Sequence, residues 1–339
     1  MILVVILCAV LWGVGRVIHA PTVQRWGVIG GIWGLAFLYF VLPGDLGSDN
    51  ARVWVLVSFV AILGLGYTRL LAILRARATP TPPPATPKPL FQKEELERYA
   101  RHILLREIGG PGQKAMKQAR VLVIGAGGLG SPALMYLAAA GVGVVGVMDN
   151  DVVDTSNLQR QIIHQTQSVG MDKVASAKAA MRALNPFVEV RAIKARFGAD
   201  TADLLEDYDL ILDGSDNFDT RYLVNRVAAK AGKPLISAAI TQWEGQISVY
   251  DPAHGTPCYE CIFPHRPAPG MVPTCAEAGV AAPLPGVIGA MMAMEAVKHL
   301  TGAGQGLKGR LMIYDALYAE VRVIGLKRRN DCAVCGTSA

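Results

Sequence analysis

The chain has 339 residues, 52% of them hydrophobic and 18% charged, which excludes a disordered polypeptide and leaves room for about two domains. The net charge of +6 would raise nucleic acid as a partner. However, residues 1–78 hold six Arg, no Lys and two Asp, so +4 belongs to a short apolar segment and only +2 to the other 261 residues. A near-neutral remainder argues against a nucleic-acid surface.

Three apolar runs open the chain: Met1–Gly15, Trp26–Leu42 and Val53–Thr68. Each is near the short end of what crosses a bilayer, and Arg16 and Arg69 can extend the reach by snorkelling. Trp26 and Trp54 stand at run edges, as an aromatic belt requires. Arg16 and Arg25 flank the first connection. Asp45, Asp49 and Arg52 occupy the second, and Arg69, Arg75 and Arg77 follow the third run. The expectation is three transmembrane helices over residues 1–78, multi-pass in the inner (plasma) membrane, with the N-terminus outside and the rest cytoplasmic. A signal peptide over Met1–Ala20 is the rival reading, weakened because no positive charge precedes the apolar run. A buried soluble hairpin is a further alternative. Residues 79–90, within Ala78-Thr-Pro-Thr-Pro-Pro-Pro-Ala-Thr-Pro-Lys-Pro89, read as a Pro-rich, semi-rigid linker.

From residue 91 to 339 the pattern is α/β. Lys93–Glu107 reads as an amphipathic helix. Strand Val121–Ile124, helix Ser131–Ala140, strand Val144–Met148 and helix Asp172–Leu184 follow. Then come strands Val188–Ile193 and Leu210–Leu212, helix Thr220–Ala231, and strands Leu235–Ile240 and Gln246–Tyr250. A Pro- and Gly-rich loop covers roughly 252–283. Helix Leu284–Leu300 and strands Arg310–Tyr314 and Tyr318–Ile324 complete the chain. This alternation predicts a Rossmann-like, doubly wound, mostly parallel sheet with late antiparallel strands.

Gly125-Ala-Gly127-Gly128-Leu-Gly130 follows a strand and opens a helix, where backbone amides can approach phosphates. Asp149 and Asp151 close the next strand, where an acid usually holds a ribose hydroxyl. Alone, this signals a nucleotide without choosing between a dinucleotide and ATP. Asn157, Arg160 and Gln161 come next, Lys173 starts the following helix, and Asp216-Asn217 end another strand, with Arg221 after them. Two cations beside a glycine loop suit a polyphosphate, and a carboxylate at a strand's C-terminal end suits Mg²⁺. Each has a bland alternative: Arg160 and Lys173 as surface charges, Asp216 as a helix cap.

Cys258-x-x-Cys261 and Cys332-x-x-Cys335 have the bite of two halves of a Cys₄ structural zinc site, with free thiols or redox pairs as the alternative. Cys275 is left over, either a loop nucleophile or a small apolar residue. Cys8, in an apolar run, reads as packing. His102, His164, His254, His265 and His299 show no ligand spacing.

Taken together, Arg98-Tyr-Ala-Arg101, Gly125–Gly130, Asp149-Asn-Asp151, Asn157-Leu-Gln-Arg160-Gln161, Gly170-Met-Asp-Lys173, Asp213-Gly-Ser-Asp216-Asn217, Glu244-Gly-Gln246, both cysteine pairs and Thr274-Cys275-x-Glu-Ala-Gly279-Val are far more specific than any one motif. Over about residues 91–337 the chain resembles the ubiquitin-activating-like adenylyltransferases of the MoeB and ThiF type, nearest to the molybdopterin-synthase adenylyltransferases. The resemblance implies ATP with Mg²⁺, zinc on the four paired cysteines, and a homodimer. It also implies a MoaD- or ThiS-like sulfur-carrier protein whose C-terminal glycine is adenylated, in molybdopterin or, alternatively, thiamine biosynthesis. By that resemblance Asp151 contacts the ribose, and Asn157, Arg160 and Lys173 contact phosphates. Asp216 would handle Mg²⁺, and Arg101 would reach the partner subunit's phosphates. Cys275 matches a position that some members use for sulfur or thioester chemistry. The absence of a recognisable sulfurtransferase segment points to a separate sulfur donor. An NAD-dependent oxidoreductase is the alternative of another class, but it leaves Arg160, Lys173 and the cysteines without a role. A membrane scaffold that has lost catalysis is a third.

Overall fold

The computed structural model describes residues 2–41, 49–77, 90–268, 271 and 275–336, with backbone alone at 2, 50, 76, 275 and 276. The chain divides into two compact units, Met1–Pro87 and Lys88–Ala339.

The first unit holds α1 (Ile2–Val17), α2 (Thr22–Val41) and α3 (Asp49–Arg77). Aromatic contacts join them. Trp12 meets Trp26 at 4.9 Å and Trp33 meets Trp54 at 4.7 Å between ring centroids, and Trp33 Nε1 donates to Ser58 Oγ at 3.0 Å. Among the described residues, one helical stretch, Ala51–Arg75, is long and apolar enough to cross a membrane. The second apolar run lies in α2, whose first turns carry Gln24 and Arg25 and so lower its hydropathy. The first, in α1, is 16 residues, roughly 24 Å at 1.5 Å per residue against about 30 Å of hydrocarbon. Large apolar side chains on α3, such as Leu56, Phe59, Val60, Ile62 and Leu63, are exposed. Asp45 and linker residues 79–89 lie outside the described residues.

The second unit contains β1 (Arg120–Ile124), β2 (Val144–Met148), β3 (Glu189–Ile193), β4 (Leu210–Asp213), β5 (Leu235–Ile240), β6 (Glu244–Tyr250), β7 (Arg310–Asp315) and β8 (Glu320–Gly325). They form one eight-stranded sheet in the order β3-β2-β1-β4-β5-β6-β7-β8. The first five are parallel and the last three are joined antiparallel. Its helices are α4 (Lys93–Ile103), α5 (Gly109–Gln118), α6 (Gly130–Ala140), α7 (Lys173–Leu184), α8 (Phe218–Lys230), α9 (Tyr259–Ile262), α10 (Cys275–Ala278) and α11 (Pro283–Thr301).

Alternation along β1 explains the two apolar layers. Val121 and Val123 face a core shared with Leu134 and Leu137 of α6 and Met292 of α11. Leu122 and Ile124 face the opposite core, with Tyr208, Tyr222 of α8 and Tyr250. The central parallel strands are therefore covered on both faces, as a parallel sheet requires.

Most expected elements are present, with instructive differences. The helix α4 ends at Ile103 rather than Glu107, because the Leu105 amide bonds back to the His102 carbonyl, three residues earlier, and tightens the turn. The helix α5 was hidden by its Gly109-Gly-Pro-Gly112 opening; burial of Gln113 and Met116, and a Gln113 Nε2 bond to the Ala140 carbonyl at 2.8 Å, hold it. The expected loop over 252–283 contains the short helices α9 and α10. The last strand starts at Glu320 because Ala319, with φ +57°, still belongs to the β-turn.

Candidate active site

Register sets the cleft. Ile124 of β1 lies opposite Met148 of β2 on one side and Asp213 of β4 on the other. Crossovers leave in opposite directions from this point, so a crevice opens at the strand ends. Gly125 N donates to the Met148 carbonyl at 2.8 Å and Gly214 N to the Ile124 carbonyl at 2.9 Å.

The glycine loop fits here because two positions reject side chains. Gly125 has φ +96° and packs on the Gly214 backbone. A Cβ on Gly130 would stand 1.9 Å from the Gly125 carbonyl oxygen. A Cβ on Gly127 would stand 3.6 Å from Gln161 Nε2, and one on Gly128 would meet Pro285 Cβ at 3.0 Å and Arg160 Cγ at 3.7 Å. The loop thus presents bare backbone to Arg160 and Gln161 at the positive end of α6.

Of the two expected ribose acids, Asp149 serves the loop itself. Its oxygens accept from Ala126 N and Asp151 N, both at 2.8 Å. Asp151 is the exposed member and pairs with Lys173 Nζ at 2.9 Å. Lys173 is buried at the start of α7, so its ammonium is aimed rather than solvated, and one bond to Asp151 leaves two donors. Arg160 Nη2 donates to Asn157 Oδ1 at 3.0 Å, which orients the guanidinium. Gln161 is 4% exposed and its Oε1 is buried without a partner.

The β4 end separates its acids in the same way. Asp213 is fully buried, accepting from Ser215 N at 3.0 Å, Ser215 Oγ at 2.6 Å and Ser237 Oγ at 3.0 Å, with Arg221 Nε at 3.8 Å. Arg221 is buried and donates to the Ser215 carbonyl at 2.8 Å, so it is scaffold. The α8 cap is Asn217, whose Oδ1 accepts from Thr220 N at 2.9 Å. That corrects the capping alternative for Asp216 and gives Asn217 a structural job. Asp216 is exposed, with no side-chain hydrogen bond among the described residues. Arg101 is exposed on α4, and no described contact joins it to the cleft. The Cys275 side chain lies outside the described residues.

Two further buried groups join the site. His164 is buried, with Nε2 3.0 Å from the Ala126 carbonyl and Nδ1 2.9 Å from Ser176 Oγ, and burial pushes its pKa down. Ser131 Oγ, one residue into α6, is buried without a partner. Neither has a spacing signature; only the fold brings them to the loop.

The residues fit a bound polyanion with a ribose. Two oriented cations, a bare glycine loop, two exposed carboxylates following separate strands and buried polar atoms without partners lie around the C-terminal ends of β1, β2 and β4.

The second predicted centre is also assembled. The sulfurs of Cys258, Cys261, Cys332 and Cys335 all lie within 4.8 Å of one another, and all four residues are buried. Four thiolates at ~2.3 Å from a tetrahedral ion stand about 3.8 Å apart. The observed Cys258–Cys332 and Cys261–Cys335 separations of 3.6 and 3.4 Å match a metal site. Asn225 Nδ2 and the Arg329 amide approach Cys258 and Cys261 sulfur at 3.9 and 3.5 Å. Burial pushes the Cys258 and Cys261 thiols up, so holding these two as thiolates calls for a nearby cation.

The ThiF family model matches residues 99–334. The chain belongs to the ThiF family. It is 50% identical over 251 residues to the sulfur carrier protein adenylyltransferase of Thermus thermophilus, covering 73% of this chain and 93% of that one. It is 49% identical over 255 residues to the probable adenylyltransferase/sulfurtransferase MoeZ of Mycobacterium tuberculosis, covering 74% of this chain and 65% of MoeZ. The SAMP-activating enzyme E1 of Haloferax volcanii is 46% identical over 243 residues, covering 71% and 89%. Among solved structures, Escherichia coli MccB aligns with TM-score 0.62 at 22% identity, over 71% of this chain and 75% of that one, and so shares the fold. This ThiF member is an adenylyltransferase, and the oxidoreductase alternative is set aside.

Proposed function

We propose that the chain activates the C-terminal glycine carboxylate of a small β-grasp sulfur-carrier protein by adenylation, in molybdopterin cofactor biosynthesis. The carrying observation is the division of labour at the strand ends, where Asp149 and Asp213 are locked by backbone and hydroxyl bonds while Asp151 and Asp216 stay exposed. The sulfur-carrier adenylyltransferase of Thermus supports the substrate class. Activation of a ThiS-type carrier in the thiamine pathway is the runner-up and has no specific support.

The chemistry asks for positioning and charge neutralisation. A C-terminal carboxylate is ionised at neutral pH, so no base is needed. One carboxylate oxygen attacks the α-phosphorus of ATP, an acyl-adenylate bond forms, and pyrophosphate leaves with the electron pair of the broken bond. Arg160 and Lys173 would offset phosphate charge, Asp151 would hold the ribose, and Gln161 and the loop amides would orient the triphosphate. Mg²⁺ held by Asp216 would supply further charge neutralisation. Zinc on the four cysteines would be structural, tying the C-terminal stretch to α9.

Arg101 is proposed to complete a second copy's site in a homodimer, and Cys275 remains a candidate thiol for later sulfur chemistry. The N-terminal unit is proposed as a three-helix inner-membrane anchor with the catalytic unit on the cytoplasmic side; the exposed apolar surface of α3 supports that reading. Protease digestion of sealed vesicles of either orientation checks it.

The test of function is carrier-dependent ATP–pyrophosphate exchange. Wild-type protein should support exchange only with a carrier ending in Gly-Gly, and Asp216→Asn should abolish most of it. Absence of exchange with every such carrier would sink the proposal.

A further inference from the structure

We propose that His164 is a positioning residue for adenylation, fixing the peptide between Ala126 and Gly127 so that the Gly127 N–H faces the nucleotide. The inference rests on the nucleotide reading of the cleft.

The argument starts from the Ala126 peptide groups. Its N–H is given to Asp149 and its carbonyl receives His164 Nε2. In a trans peptide the carbonyl of one residue and the N–H of the next point in opposite directions. Aiming the Ala126 carbonyl at His164 therefore aims the Gly127 N–H away from it. No hydrogen bond from Gly127 N is found among the described residues. Glycine at 127 would let this peptide turn over at little cost, because positive φ is open to it. A fixed partner on the carbonyl is what removes that freedom.

A carbonyl can only accept, so Nε2 must carry the ring proton, and Nδ1 of the neutral ring then accepts the Ser176 hydroxyl proton. Each element around the ring belongs to the cleft. His164 N donates to the Gln161 carbonyl at 3.1 Å, Ser176 lies on α7 three residues after Lys173, and Ala126 lies in the glycine loop. The charged groups facing it are Lys173 and Asp149. One buried ring thus joins the loop that carries Arg160, the helix that carries Lys173 and the backbone that meets the phosphates.

The experiment measures the ATP KM and kcat of exchange, with ATP binding by calorimetry, for full-length wild type, His164→Gln, His164→Leu and Ser176→Ala. Glutamine places a side-chain N–H near the Nε2 position and can still donate to Ala126. His164→Leu should raise the ATP KM about tenfold, the range for leaving a buried carbonyl unpartnered, with a smaller effect on kcat. His164→Gln should recover most of that loss, and Ser176→Ala should fall between wild type and His164→Leu. Nitrogen NMR of the histidine rings should show a protonated Nε2 and a bare Nδ1 at His164. An unchanged ATP KM in His164→Leu overturns the proposal. So does equal loss in His164→Leu and His164→Gln, or an Nδ1–H ring. If His164→Leu does not fold, the Gln and Ser176→Ala variants and the ring tautomer decide. Failure of wild type to bind ATP overturns the nucleotide reading instead.

Discussion

The glycine-loop cleft and the cysteine cluster both gather distant stretches of chain, but by opposite means. In the cleft each strand end spends one carboxylate on backbone amides or hydroxyls and leaves its neighbour exposed: Asp149 beside Asp151, Asp213 beside Asp216. Around the cysteines, four buried sulfurs converge, and Asn225 fills its bonds with Tyr259 N, Glu260 and Cys258. The lesson is that unspent polar groups mark the place of chemistry, whereas closed ones mark structure.

The largest effect should come from breaking the closed region. Cys332→Ser, or treatment of the purified protein with a chelator, should cost stability by at least about 4 kcal/mol and abolish activity with it, read by thermal melting and metal content. If melting is unchanged, the cluster is no structural site and the contrast fails. Next is the open region. Asp216→Asn should lower the exchange rate about a hundredfold or more while melting stays at the wild-type value, because the group has no structural bond to lose. A matching fall in melting temperature would remove the distinction between the two regions.

The contrast within the cleft is sharper still between neighbours. Asp149→Ala should destabilise by about 1–3 kcal/mol, since it orphans two backbone amides. Asp151→Asn, exposed and still offering an oxygen to the buried Lys173 ammonium, should cost less than Asp149→Ala yet weaken ATP binding. Denaturant titration of both variants measures the difference. The smallest expected effect is on pH. Burial lowers the pKa of His164, and burial likewise lowers that of His299. Below the ordinary value near 6.5 the unfolded chain takes up protons that the folded chain refuses. Stability should be full above about pH 6.5 and fall as pH drops beneath it, and His164→Gln should flatten part of that fall.

Much of this was legible in the sequence because it rested on local rules. Gly125 and Gly130 announce a turn that tolerates no Cβ, and the two Cys-x-x-Cys spacings announce a shared cluster of four sulfurs. Asp216 was ambiguous because a carboxylate before a helix can cap it; the identity of the cap, Asn217, is a matter of one residue of register. His164 was illegible because its partners, Ala126 and Ser176, lie 38 and 12 residues away and meet it only through the order of β1, β2 and α7. The helix α5 was missed because its glycines oppose helix locally, and only burial against neighbouring elements overrides that.

The sulfurs of Cys258 and Cys332 lie 3.6 Å apart although 74 residues separate them. Once an ion joins them, the polypeptide from α9 through α11, β7 and β8 becomes a closed ring. Closing such a ring removes about 4 kcal/mol of conformational entropy from the unfolded chain. A single backbone cut near the exposed Arg266 would then open the ring without releasing a piece.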